Sequence, residues 1–254
     1  MKQKRALAKL EETLSNLVAL SKTERANSVS VVLAAAGNSE RFGRPKPLVE
    51  ICGKRLFEYS LDAFLKSRSV REIVLAIRKE DKPIFRLVLS EYKSEKLIKL
   101  CIGGDTRDES VLRAFLACDK NTDFVAFHDA ARPLIQTEDI DRVIEDAFLF
   151  NASTAAFPIV DSLKRVKFAN IISDVPRDDL YAVSTPQIFQ KDMYEVSRAV
   201  CKKDGFSATD DNAYVTHAGF HVHVTKVSGN PKLTYPEDLA DIELKLKSRK
   251  GDAL

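Results

Sequence analysis

The sequence predicts an α/β fold, a mostly parallel sheet with helices on both faces, built as one domain with an arm. Two observations carry this. From Val29 to Phe150, short apolar runs of strand length alternate with amphipathic stretches of helix length. Such alternation is the pattern of a parallel sheet covered on both faces. After Asn151 the alternation breaks into consecutive extended segments before the helical pattern returns. With 254 residues and 44% hydrophobic content, the chain can bury one sizeable core.

The elements follow in order. Residues 1–27 form an N-terminal helical extension, because Leu7, Leu10, Leu14 and Leu17 recur at three- and four-residue steps on one helix face. Its basic residues would suit an organelle-targeting helix, but Glu11, Glu12 and Glu24 favour a helix packed on the body or on a partner. Residues 28–254 form the main domain. Val29–Ala35 reads as the first strand, Arg55–Lys66 as a helix, Glu72–Ile77 as a strand and Pro83–Tyr92 as a helix. Leu97–Ile102 is the third strand, Ser110–Ala117 a helix, Phe124–Phe127 the fourth strand and Glu138–Phe150 a helix. Thr154–Val160 and Leu163–Phe168 read as extended, part of an arm over about 152–182 that leaves the sheet. Helix Met193–Lys202, strand Phe220–Val227 and a helix from Pro236 to about Lys247 complete the chain.

Composition excludes several classes. A formal net charge of +3 is too small for a general nucleic-acid binder. Cys52, Cys101, Cys118 and Cys201 form no C-x-x-C pair and match no zinc spacing. They read as small buried residues in a reducing compartment, cytoplasmic or of plastid type. No apolar run approaches the ~20 residues that span a bilayer, so no membrane is expected.

Chemistry is expected at the carboxyl ends of the strands, where ligands of open parallel sheets bind. Four loops fall there: Ala35–Lys46, Gly103–Ser110, His128–Pro133 and Gly229–Thr234. In the first, small residues admit a ligand to the backbone and Gly37 permits a tight turn. Exposed N–H groups there, with Arg41 and Lys46, suit phosphate oxygens. The spacing is neither a Walker A loop nor a dinucleotide fingerprint. Asp129 suits magnesium or a ribose hydroxyl, or else an ion pair with Arg132 that fixes the loop. His128 reads as structural. His221 and His223 share a strand face without a third metal ligand, so they too take the plain reading.

The chain resembles the sugar-alcohol-phosphate cytidylyltransferases. The segments are Leu33–Gly37 with Arg41 and Pro45-Lys46, Gly103–Val111, His128–Pro133, Pro158–Arg165, Ser184–Gln187, Ala208–Asp211 and Asn230–Asp238, in family order over about 28–247. The resemblance implies a Rossmann-like sheet with an extended β-arm for dimerisation. It also implies transfer of CMP from CTP to a sugar-alcohol phosphate, with Mg²⁺ as cofactor and pyrophosphate as leaving group. The branch acting on 2-C-methyl-D-erythritol 4-phosphate fits best. A ribitol 5-phosphate enzyme and a non-catalytic nucleotide sensor are the alternatives. Arg41, Lys46 and Lys232 would stabilise the reacting phosphorus. Ala35, Ala36, Gly37, Gly104, Asp105, Ser110 and Ala130 would bind CTP, with Asp129 at the metal. Arg132, Thr209, Ser162 and Arg177 would hold the acceptor, the last two from the arm of the other subunit in a shared-site homodimer. The chain departs from the family pattern at Ser39 (in place of a glycine), Phe42, Pro47 and Ser162, and in a short loop before Lys232 that lacks a second acidic ligand.

Overall fold

A computed structural model describes residues 27–37, 39 and 42–251. The helix expected over 1–27 lies almost wholly outside these residues, and so does Arg41. The elements are β1 (Val29–Ala34), β2 (Glu50–Ile51), β3 (Lys54–Arg55), α1 (Leu56–Lys66), β4 (Val70–Ile77) and α2 (Lys82–Leu89). Next come β5 (Leu97–Ile102), α3 (Arg107–Leu116), β6 (Phe124–Asp129), α4 (Thr137–Phe150) and β7 (Ala152–Pro158). The remainder is β8 (Leu163–Lys167), β9 (Asn170–Val175), β10 (Tyr181–Gln190), α5 (Lys191–Asp204), α6 (Asp211–His217), β11 (His223–Lys226) and α7 (Asp238–Gly251).

Seven strands form one sheet in the order β11-β7-β10-β6-β1-β4-β5. Among them β10 alone runs against its neighbours, β6 and β7. The reason is local: the chain leaves along β7 and returns along β10, and only an antiparallel pair permits a return without a crossover. The separate β8–β9 hairpin fills the gap between the two. The arm is therefore shorter than the expected 152–182, since β7 and β10 belong to the main sheet.

Both sheet faces are buried. Val31 and Leu33 of β1 and Ile73, Leu75 and Ile77 of β4 pack against α1, α2 and α4 through Phe57, Phe64, Phe85 and Val143. The alternate residues Val32, Val74 and Ala76 face Val111 and Phe115 of α3 and Tyr194 of α5 on the other side. Apolar residues at every strand position satisfy both faces at once.

A third, smaller cluster bears on the site. Phe42, Val49, Ile51, Ala131, Leu134 and Leu233 pack with Ile242 and Leu246 of α7. The segments that carry Lys46 and Lys232 thus rest on one apolar pad. Leu233 N–H also donates to Ala131 O at 2.8 Å. Leu233 is completely buried, so Leu233→Ala is expected to cost about 2–5 kcal/mol in denaturant unfolding. The same variant should lower turnover by loosening Lys232. Unchanged turnover would mean that the pad does not hold the lysine.

Candidate active site

Strand order reverses at β1. The chain moves from β1 to β4 and β5 on one side, then returns with β6 on the other. Such a switch point opens a crevice at the carboxyl ends of the two strands. Here Ala34 of β1 pairs with Asp129 of β6 at that end. A cavity of about 220 Å³ lies there, lined by Ala34–Gly37, Ser39, Lys46, Pro47, Arg107, Ser110, Asp129, Ala131 and Lys232.

Asp129 is the electrostatic hub. Its Oδ2 accepts from Lys232 Nζ at 2.7 Å and faces Arg132 Nε at 3.8 Å; its Oδ1 faces Arg107 Nε at 3.4 Å. Burial acts to raise the carboxyl's pKa, but Lys232, Arg107 and Arg132 together hold it well below the usual carboxylate range. The group is a fixed anion amid an excess of cations. Arg132 is itself anchored, donating Nη1–H to Asn230 O at 2.8 Å. Asn230 Oδ1 accepts from Leu134 N–H at 3.1 Å. The loop before Lys232 is thereby tied to the loop after β6.

The first loop closes on Ser39. Its hydroxyl accepts from Lys46 N–H at 3.1 Å and lies 3.3 Å from Gly37 O. The left-handed backbone of this loop sits at Ser39 (φ 55) and Gly43 (φ 75). Gly37, expected to make the tight turn, has no positive φ and open space where a Cβ would stand. Its lack of a side chain leaves room in the cavity instead. Phe42 is buried in the pad, with the Arg44 guanidinium 5.8 Å from its ring centre.

The third loop is closely packed. A Cβ on Gly103 would meet Ser110 Oγ at 2.6 Å and Ala36 Cβ at 2.7 Å, and one on Gly104 would strike the Glu109 side chain. Only glycine fits at either position. Helix α3 starts at Arg107, three residues earlier than expected, because Thr106 accepts from Glu109 N–H at 3.1 Å as its N-cap. Gly104 and Asp105 line a neighbouring cavity of about 290 Å³ with Gly103, and Ala36 forms a wall common to both cavities.

His128 lies in β6, which runs two residues further than expected and takes in Asp129. The ring is fully buried, 3.0 Å from Thr185 Oγ1 at Nδ1 and 3.3 Å from Ser60 Oγ and Arg132 O at Nε2. Burial pushes its pKa down to about 4, against the opposing pull of Asp129. The unfolded chain therefore takes up a proton near pH 6.5 that the folded chain refuses. Its contribution to stability is complete above that pH and should be lost as pH falls towards 4, a cost of about 3 kcal/mol. Unfolding free energy measured from pH 7 to 4 should fall less steeply in His128→Gln than in the wild type. Parallel slopes would exclude His128 as the titrating group.

A sequence model of the 2-C-methyl-D-erythritol 4-phosphate cytidylyltransferases matches residues 29–248. The chain belongs to that family. A 2-C-methyl-D-erythritol 4-phosphate cytidylyltransferase of Caldanaerobacter subterraneus is 35% identical over 225 residues, covering 87% of this chain and 99% of the relative. One of Rhodopirellula baltica is 38% identical, covering 84% and 93%. Among solved structures, the 4-diphosphocytidyl-2C-methyl-D-erythritol synthase of Anaerococcus prevotii superposes with a TM-score of 0.78 at 26% identity, covering 88% of this chain and all of that one. The 2-C-methyl-D-erythritol 4-phosphate cytidylyltransferase of Thermus thermophilus gives 0.71 at 28% identity, covering 87% and 99%.

Within this cytidylyltransferase chain the expected site residues fall into three groups. Ala35, Ala36, Gly37, Lys46, Ser110, Asp129 and Lys232 line the main cavity. Gly104 and Asp105 line the adjoining one. Their N–H groups are engaged, Gly104 with Ser110 Oγ and Asp105 with Glu109 Oε2, while Gly103 O accepts from Arg113 Nη1–H at 2.7 Å and Gly104 O lies 3.3 Å from the Ser110 hydroxyl, each carbonyl keeping a second lone pair. Ala130 is wholly buried and its N–H donates to Ala34 O, so Ala131, not Ala130, borders the cavity. Arg132 stands behind Asp129. Thr209 is exposed just before the N-cap Asp210 of α6. Ser162 and Arg177 flank the hairpin, away from either cavity, with Arg177 Nη1–H donating to Val160 O. Sequence reasoning missed Arg107 as a cavity residue. The signal was present: Thr106 and Glu109 three apart form a helix-start signature that places Arg107 in the first turn, facing the loop. His221 and His223 join no metal cluster; among the described residues no group of three or more candidate ligands occurs. No described helix is long and apolar enough to cross a membrane.

Proposed function

We propose that this chain transfers CMP from CTP to 2-C-methyl-D-erythritol 4-phosphate, releasing pyrophosphate, as a step of non-mevalonate isoprenoid biosynthesis. The observation that carries this reading is the meeting of Lys46, Lys232 and Asp129 around one cavity at the switch point of the sheet, in a chain of this family. An oxygen of the acceptor's phosphate attacks the α-phosphorus of CTP. The bond from that phosphorus to the bridging oxygen breaks, and pyrophosphate departs with the electron pair. A phosphate dianion needs no base to activate it, which agrees with a His128 held neutral and fully engaged. The work of the protein is therefore positioning and charge neutralisation.

Lys46 and Lys232 bring their positive charge to the phosphorus centre from the cavity lining, and the family resemblance assigns Arg41 the same role. The base lies over Gly104 and Asp105 beyond Ala36, where backbone carbonyls accept from the amino group of cytosine that uracil lacks. Ser110 fixes that loop through its contacts with Gly104. The donor set fits a magnesium ion carried in by the nucleotide, since one carboxylate, Asp129, faces the cavity and such ions keep phosphate and water ligands. When bound, magnesium would add positive charge that eases departure of pyrophosphate. Arg132 and Thr209 border the acceptor side.

The same reading makes the enzyme a homodimer through the β8–β9 arm, with Ser162 and Arg177 serving the partner's site. What supports it is a hairpin carrying apolar residues that nothing among the described residues covers. Phe168 is 87% exposed and Ile171 68%. Exposed apolar clusters of this kind mark protein contacts.

The test is pyrophosphate release by the purified protein with magnesium, each of the four nucleoside triphosphates, and either 2-C-methyl-D-erythritol 4-phosphate or ribitol 5-phosphate. Release with CTP and the first acceptor is expected. Release only with ribitol 5-phosphate would move the substrate. CTP binding without release under any acceptor would make the chain a sensor.

A further inference from the structure

Arg107, in the lining of the main cavity, joins the cavity's carboxylate, Asp129, to a second carboxylate outside that lining, Asp211. Its Nε lies 3.4 Å from Asp129 Oδ1, and its Nη2 donates to Asp211 Oδ2 at 3.1 Å. Asp129 ends β6 on the nucleotide side. Asp211 opens α6, two residues after Thr209 on the acceptor side. Asp211 is itself rigidly held: its Oδ1 accepts from Tyr194 O–H at 2.7 Å, and its N–H donates to Gln187 Oε1 at 3.1 Å. It is almost completely buried and lines neither cavity. A second contact reinforces the same junction. Asp108, next in α3, forms a two-pronged pair with Arg198 of α5 and accepts from Tyr214 O–H of α6 at 2.7 Å.

Resting on the functional reading above, we propose that Arg107 is a positioning residue that sets the nucleotide half of the site against the acceptor half. Its planar fork spans two carboxylates with separate N–H groups. A lysine carries all three of its N–H donors on one nitrogen, so it cannot reproduce bonds made from two nitrogens held in one plane. The residue acts through Asp129 and Asp211, and what it controls is the alignment of the attacking oxygen with the α-phosphorus. Displacements of about 1 Å in such alignment can cost on the order of 10²-fold in rate.

The experiment compares the wild type with Arg107→Ala, Arg107→Lys, Asp211→Asn and the double variant Arg107→Ala/Asp211→Asn. It measures kcat, both KM values, CTP binding by calorimetry with magnesium in excess, and melting temperature. Arg107→Lys is expected to lose at least tenfold in kcat despite keeping its charge, with CTP affinity within about threefold of the wild type. Asp211→Asn should show a similar loss, and the double variant should be no worse than Arg107→Ala alone. Arg107→Lys with wild-type kcat, or losses that multiply in the double variant, would overturn the proposal. If Arg107→Ala fails to fold, the near-isosteric Asp211→Asn and the charge-keeping Arg107→Lys decide it. A wild-type chain that binds CTP but releases no pyrophosphate refutes the functional reading and this inference with it. An active wild type with an indifferent Arg107→Lys refutes this inference alone.

Discussion

Lys232→Ala is expected to lower turnover about 10²–10³-fold, the usual cost of losing one charged contact to a transition state. The lysine is poised for this by what surrounds it. Leu233 pins its backbone to the apolar pad, and Asp129 holds its ammonium at 2.7 Å. The side chain is 38% exposed, so truncation removes little packing. Asp129 keeps Arg107 and Arg132 as partners, so its buried charge stays compensated and the melting temperature should barely move. Lys46→Ala should behave alike. Steady-state kinetics beside a thermal melt separate the two effects. A loss of turnover below about tenfold, or one tracking a fall in stability, would remove Lys232 from the reaction.

The second large effect concerns the arm. Val166 of β8 and Ile171 of β9 lie directly opposite each other, so their side chains share a hairpin face. Both are exposed, at 57% and 68%. Placing aspartate at both positions sets like charges where an apolar contact is proposed. The double variant Val166→Asp/Ile171→Asp should sediment as a monomer and lose nearly all turnover, because Ser162 and Arg177 no longer reach a partner. CTP binding should survive, since one chain by itself brings Lys46, Ser110, Asp129 and Lys232 around the main cavity. A variant that stays dimeric places the interface elsewhere. A fully active monomer would mean that the site needs no second subunit.

Much of the fold was legible because burial on both faces leaves a strong mark. The apolar runs of β1, β4 and β5 and the facing helices were placed within a few residues. What escaped has physical causes. β10 carries Pro186 in its middle, a residue that argues against an inner strand; the chain tolerates it because the pairing with β7 shifts register between Val183 and Gln187. The helix α6 has only seven residues, too short for a periodic signal. The ends of β6 and α3 moved because Asp129 and Arg107 are polar. Their charge reads as loop in a sequence, whereas in the fold each is stabilised by the other and by Lys232 or Asp211. The same interaction hid Arg107 from the site: its partners lie 22 and 104 residues away. Lys46, Asp129 and Lys232, by contrast, sit in loops that the strand ends mark in the sequence, and the three line one cavity.

The most direct measurement of the central claim is a crystal structure of the protein with CTP and magnesium. The account predicts the triphosphate between Lys46 and Lys232, the metal beside Asp129, and the cytosine over Gly104 and Asp105. A nucleotide bound elsewhere on the sheet, or a triphosphate out of reach of both lysines, would contradict it.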